Sequence, residues 1–293
     1  MAVTVMSLSS TVQLQARALG IALLIGISPV VAGNPQLDDS LLSQAKEQAR
    51  RQNWSQAEAL VRRHLEASAD SWDGHALLGF VLFRQRRWRE SRVEYIEADK
   101  WLTQSLEMNP EDAKGWEALG HIKFFEQRYE EAIKAYQRSL TLTPRVVSAE
   151  IDVGLSCELL GRLEDAEAAY KTAIGWEAPK LHDPTPFLGL GRVLLKQNRP
   201  VDALPYLRQA VELGPSVAQA HEELGKAYSS LNQLAAAQRE IERAIELAPK
   251  VVRLHFLLGQ IYRRAGLMEK AKTELDRYAA LVGTSSTPDV DPW

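Results

Sequence analysis

Glycine recurs along this chain at a nearly fixed interval, and few folds require that. Gly79, Gly120, Gly154, Gly191, Gly225 and Gly259 are each followed twelve residues later by a small residue: Ser91, Ala132, Ala166, Ala203, Ala237 and Ala271. Ala45 and Ala57 repeat the spacing ahead of them. Seven units result, starting at residues 38, 72, 113, 147, 184, 218 and 252, with steps of 34, 41, 34, 37, 34 and 34. An interval this regular belongs to an array of one supersecondary unit, each copy burying its apolar face on the next.

The pattern inside a unit gives two amphipathic helices. In residues 113–146, Trp116, Leu119 and Gly120 stand at i, i+3 and i+4, on one helix face. A turn follows at Glu126, Gln127 and Arg128. Tyr129, Ala132, Ile133 and Tyr136 then line one face of a second helix, which Pro144 ends. Gly161, Asn198, Asn232 and Gly266 occupy the equivalent turn position, where a left-handed residue closes the first helix. The small residues let the two backbones approach. A large side chain there would force the pair apart, at a cost of about 1–3 kcal/mol.

These residues resemble the tetratricopeptide repeat, a 34-residue helix–turn–helix. The match rests on Trp116, Leu119, Gly120, Ala132, Tyr136 and Pro144. It continues in Leu190, Gly191, Leu194, Ala203, Ala210 and Pro215, and in Leu224, Gly225, Tyr228, Ala237, Ala244 and Pro249. The resemblance covers residues 38–285 and implies an all-α, right-handed superhelical solenoid of about seven units. It also implies a binding scaffold. The unit at 38 departs from the pattern, with Ala45 in place of Gly and no closing proline, as suits a terminal cap. The unit at 72 is seven residues too long. Seven residues are close to two helical turns, so the excess is expected inside its second helix, around Tyr95 to Met108. Leu181, His182 and Asp183 are extra residues in a loosened joint before the unit at 184.

Residues 18–32 carry no charge, follow a segment whose only charged residue is Arg17, and end in Val30, Val31 and Ala32 before Gly33. Such a run is too short to span a bilayer comfortably and reads as a signal peptide over residues 1–32, cleaved after Ala32. The alternative is an uncleaved membrane anchor. Export places the protein in the periplasm or outside the cell, and a signal on a lone repeat array suggests a bacterial envelope. Residues 286–293, polar and with two prolines, read as a flexible tail. Lys plus Arg number 35 against 38 Asp plus Glu, a net charge of −3, which argues against nucleic acid as a partner.

No catalytic constellation is legible. His221, Glu222, Glu223, Leu224 and Gly225 begin like a zinc-protease motif, but glycine stands where the second histidine must be. Gly189 and Gly191 lie within a repeat helix and cannot cradle phosphate. Cys157, the single cysteine, sits at an inward position and reads as a buried structural thiol. His75, His221 and His255 share the fourth position of their units, where a packing role is expected. Neither a cofactor nor a metal is expected, and the chain reads as a non-enzyme. The residues outside the repeats are too few to hold a catalytic domain. A regulatory subunit of an enzyme complex remains an alternative, and no oligomeric state follows from the sequence.

Arg84, Arg86, Arg87, Arg89 and Arg92 crowd one turn, either as a solvated turn with Trp88 inward or as an anion site. The resemblance further implies that first-helix positions 2, 5, 9, 12 and 13 line a concave groove. Carried onto this chain, the front half offers Phe80, Phe83, His121, Phe124, Leu155 and Glu158. The back half offers Arg192, Lys196, Glu222, Lys226, Arg253, Gln260 and Arg263. Phe80, Phe83, His121, Phe124, Arg192, Lys226, Arg253 and Arg263 are the candidate peptide-binding residues. They suggest an apolar anchor at one end and an acidic stretch at the other, unless the phenylalanines pack between units. The Lys-and-Asn pair that clamps chaperone tails in some members of the family is absent from every unit.

Overall fold

The computed structural model describes residues 35–177 and 183–284. The signal-like segment, the tail at 286–293, and Leu181 and His182 lie outside the described residues. Fourteen helices are present among the described residues, and no strand. They are α1 Pro35–Arg50, α2 Trp54–Ala67, α3 Trp72–Arg84, α4 Trp88–Met108, α5 Ala113–Phe125, α6 Tyr129–Leu142 and α7 Val147–Leu159. The remainder are α8 Leu163–Glu177, α9 Thr185–Lys196, α10 Pro200–Leu213, α11 Ala218–Ser230, α12 Leu234–Leu247, α13 Val252–Arg264 and α14 Met268–Thr284. The all-α repeat architecture expected from the spacing is what the chain adopts. It divides into two compact units whose boundary in sequence falls between Ser156 and Cys157.

In the unit that ends at Ser156, α1–α2, α3–α4 and α5–α6 are hairpins, and α2 packs on α3 and α4 on α5. Close approach within a hairpin depends on the recurring small residues. A Cβ on Gly79 would stand 3.2 Å from the Tyr95 ring, and one on Gly120 would run into the Tyr136 ring. Ala57 and Ala132 are fully buried. Ser91, the one hydroxyl in the series, donates to the Gly79 carbonyl at 2.8 Å. The extra seven residues do lengthen α4, which runs for 21 residues against 14 in α2 and α6. Tyr95, Ala98, Leu102 and Leu106 stay buried along it. Their spacing of i, i+3, i+7 and i+11 keeps one face inward through the extension.

The unit that begins at Cys157 contains α8 against α9, the hairpins α9–α10, α11–α12 and α13–α14, and the contacts of α10 with α11 and α12 with α13. Ile241 and Ala237 of α12 form a core cluster with Leu258, Ile261 and Tyr262 of α13. A Cβ on Gly225 would lie 2.6 Å from Ile241 Cδ1. Pro200 opens α10 without loss, since a first-turn N–H has no helical partner.

Each of the seven turns closes alike. Gly161, Asn198, Asn232 and Gly266 take positive φ, at 75°, 58°, 58° and 77°. So do Gln52, Arg86 and Gln127 in the first three turns, at about 62°. The next amide but one past the helix then reaches back: Arg87 N donates to Leu82 O, Arg128 N to Lys123 O, and Leu267 N to Tyr262 O, each at 2.9 Å. This is the Schellman closure, which satisfies carbonyls that a helix end leaves open.

Candidate functional site

The concave set does not survive as an apolar front and a charged back. Phe80 and Phe124 are 3% and 2% exposed. Phe80 meets Trp54 edge-on at 6.1 Å and Phe125 at 6.3 Å. Phe124 lies edge-on to Tyr129 at 5.4 Å. Phe83 is half-buried between Trp88, at 4.9 Å, and Phe125, at 5.7 Å, while Tyr95 stacks on Phe125 at 5.0 Å. The front phenylalanines are thus an internal aromatic cluster. Neighbouring helices bring Trp54 and Phe125 over them, and burying rings together is worth more than leaving them wet. His121 is also buried, its Nε2 3.0 Å from Asp152 Oδ2. Phe80, Phe124 and His121 have almost no surface left to anchor a ligand, and Phe83 keeps only part of its ring open.

The back-half charges are consumed by one another. Arg192 of α9 engages both carboxylate oxygens of Glu158 through Nε and Nη2, and Lys196 adds a contact at 2.8 Å. Glu158 is 1% exposed on its side chain and Arg192 10%. Burial alone would push the Glu158 carboxyl up. The Arg192 and Lys196 cations outweigh it and hold it below the ordinary carboxylate value. Burial likewise opposes the charge on Arg192, and Glu158 restores it. A second network joins Glu222 of α11 to Arg253 of α13, at 2.6 and 2.9 Å, and to Lys226 at 2.8 Å. Arg192 and Arg253 therefore bind neighbouring repeats together, while Lys226 pairs within α11.

What stays open on α13 is Phe256 and Arg263, which share a face with the half-buried Gln260 and the Glu222-bound Arg253. Arg253, Phe256, Gln260 and Arg263 follow i, i+3, i+7 and i+10 on one helix face. Phe256 is 40% exposed and its ring stands 5.2 Å from that of Tyr278 on α14. Arg263 is exposed and donates to Gln260 at 2.8 Å. Sequence reasoning named Arg253, Gln260 and Arg263 but passed over Phe256. Its place at the fifth position of the unit was the signal that could have found it.

The unit-position-4 histidines do more than pack. His75, His221 and His255 each set Nδ1 2.7 Å from a carboxylate nineteen residues on, Glu94, Glu240 and Glu274. Nε2 of His75 faces the Ala69 carbonyl at 3.0 Å, and that of His221 faces the Pro215 carbonyl at 3.1 Å. Trp116 fills the same place by donating Nε1 to Pro110 O. The arginine-rich turn is largely tied down. Arg84 lies over Trp54 at 4.8 Å, and Arg87 joins Glu58 and Glu90. Cys157 is buried. Among the described residues no cluster of His, Cys, Asp and Glu has the makings of a metal site. No described helix is long and apolar enough to cross a membrane.

Two tetratricopeptide repeat family profiles match the sequence, one over residues 117–179 and 223–286, the other over residues 194–251. The chain belongs to the tetratricopeptide repeat family. No curated protein matches it. Among solved structures it is similar to YrrB, described as a tetratricopeptide repeat protein with an unusual peptide-binding site. That pairing has 24% identity and a TM-score of 0.52, over 64% of this chain and 93% of the other. The type IV pilus biogenesis factor PilW gives 17% and 0.60, over 71% and 92%. A tetratricopeptide repeat protein from Parabacteroides merdae gives 16% and 0.59, over 84% and 93%. At these identities the likeness is one of fold.

Proposed function

We propose that this tetratricopeptide repeat protein is a non-catalytic, exported scaffold in the bacterial cell envelope. On this reading the α13 stripe takes a peptide that carries one apolar side chain flanked by carboxylates. The observation behind it is Phe256, 40% exposed between Arg253 and Arg263 on α13, where Phe80 and Phe124 are covered. Burying an apolar anchor there contributes about 1.5–3 kcal/mol, and the arginines set encounter rate and register. The family's general use as a protein-binding scaffold supports the reading. The peptide site described for YrrB and the pilus-assembly role named for PilW fit with it.

Panning random twelve-residue peptides on the purified chain tests the site. Winners should place an aromatic or aliphatic residue among Asp and Glu. Phe256→Ala should raise the off-rate about tenfold, and Arg263→Glu should lower the on-rate and flatten its salt dependence. Neutral or basic winners, or unchanged rates in both variants, refute the site. Export rests on the charge-free run at residues 18–32. The amino terminus of protein recovered from its native cells should be Gly33; an intact residue 1–32 segment points to the anchored form.

A further inference from the structure

The seven extra residues of α4 move the next hairpin along that helix. At the twenty-first position of a repeat, Glu58 of α2 and Glu167 of α8 each receive an arginine from the following turn, Arg87 and Arg199, both at 2.8 Å. In α4 that position is Arg92, and it is exposed. The following turn reaches Asp99 instead, where Arg128 donates at 3.0 Å and Lys123 of α5 at 2.6 Å. Glu58 and Arg87 lie 29 residues apart, as do Asp99 and Arg128. The α5–α6 hairpin therefore docks seven residues, about 10 Å, further along α4 than the α3–α4 hairpin does along α2.

The two turns so vacated carry an aliphatic pair. Val93 and Ile96 are 58% and 49% exposed. Ile96 stands at the twenty-fifth position of its repeat, which is Arg62, Gln137, Lys171, Arg208, Glu242 and Asp276 in the others. Arg89 and Arg92, both exposed, share the face at i and i+3, with Val93 and Ile96 at i+4 and i+7. The acids of this part of α4 are engaged: Glu90 by Arg87 at 2.6 Å, Glu94 by His75 at 2.7 Å and Glu97 by Lys100 at 3.3 Å. Where α2 and α8 carry an acid on this strip, the array docks its own turns by setting a cation on a carboxylate. Here the arginines are on the receiving helix, so the complementary incoming group is the acid.

We infer that the first turns of α4 dock an acidic segment of a partner protein. The segment lays an aliphatic side chain across Val93 and Ile96 and sets carboxylates against Arg89 and Arg92. A bilayer fits less well, because Glu90 and Glu97, 53% and 40% exposed on their side chains, would lie against its anionic headgroups. The site shares no residue with the α13 stripe and belongs to the other compact unit, so it stands whether or not that stripe takes a peptide.

The test uses the full chain carrying Phe256→Ala, which takes the α13 stripe out of the readout. Random twelve-residue peptides are panned on it, with counter-selection on a chain that also carries Ile96→Asp. Recovered peptides should join Leu, Ile or Val to Asp or Glu. The strongest of them, labelled with fluorescein, should bind the parent chain and the Phe256→Ala chain alike by fluorescence anisotropy. Val93→Asp should weaken it at least about tenfold. Arg89→Glu with Arg92→Glu should weaken it at least about tenfold and flatten its salt dependence. All four side chains are exposed, so these variants keep the fold. Failure to recover a peptide that depends on Ile96, recovery of neutral or basic peptides, or an affinity untouched by the arginine reversals overturns the inference. Vesicles of phosphatidylglycerol and phosphatidylcholine are the rival surface; if they bind the chain and Ile96→Asp releases it, the face belongs to lipid and the inference fails. Dimers in sedimentation that Ile96→Asp dissolves assign it to a second copy and overturn it equally.

Discussion

Glu158→Gln tests whether the buried charges hold the second unit together. The substitution keeps the shape and removes the charge. Arg192, 10% exposed on its side chain, then loses the carboxylate that two of its nitrogens engage and keeps the weaker field of Glu223, while Lys196, 46% exposed, turns to solvent at little cost. Removing the main partner of a buried charge costs up to about 3–5 kcal/mol. The double variant Glu158→Leu with Arg192→Met removes both desolvation penalties together. It should recover most of that loss, about 3 kcal/mol, because a buried pair rarely outperforms an apolar pair of like volume. The linkage has a definite sign. The Glu158 carboxyl titrates below its ordinary value of 4.5 in the folded chain. Its contribution is therefore complete above pH 4.5 and is lost as pH falls through the folded value, so the deficit of Glu158→Gln should shrink in acid. Repeat arrays can open in stages, so urea midpoints are read beside amide exchange in α8 and α9. A single variant within about 1 kcal/mol of the parent, or a double variant as unstable as the single, refutes the reasoning.

Gly225→Leu should cost about 2–3 kcal/mol or more, since even its Cβ lies 2.6 Å from Ile241 Cδ1 and 3.3 Å from the Ala237 carbonyl. An unchanged thermal melt would contradict the hairpin packing. Gln127→Gly should stabilise by about 0.5–1 kcal/mol, because glycine takes the φ of 61° without strain and the relief exceeds its added chain entropy; a loss in urea titration would contradict this. His75 titrates above its ordinary value. Burial opposes its charge, but the bonds to Glu94 and Ala69 and the nearby Glu97 carboxylate prevail. Its stabilisation is complete below pH 6.5 and is lost as pH rises through the folded value. Glu94→Gln should flatten urea midpoints between pH 6 and 8, and a slope unchanged from the parent would exclude this pair as the source.

Much of the fold was legible because its rules are local. A glycine and a small residue twelve apart fix a hairpin, and Gly161, Asn198, Asn232 and Gly266 announce the turns. Gln52, Arg86 and Gln127 do the same work with residues that carry no such signal; the Schellman bonds and flanking helices impose the conformation. Position within a unit told which way Phe80 and Phe124 point, but not that Trp54 and Phe125 would cover them. The ion pairs were hidden for a different reason. Glu158 and Arg192 lie 34 residues apart, one full unit, and Glu222 and Arg253 lie 31 apart. A search for opposite charges one unit apart could have found them, whereas a list of concave positions treats them as unspent.

The closing bond of each turn spans only five residues, as from Arg128 N to Lys123 O. Each hairpin so closed brings together residues few positions apart, and the ion pairs between neighbours reach back little more than one unit. Such a chain has a low contact order, and low contact order goes with rapid folding. Once a first pair of hairpins has stacked, each later hairpin finds the surface it packs on already made. Growth by adding or losing a whole unit leaves that order undisturbed, which is how a chain of this kind changes length without relearning how to fold.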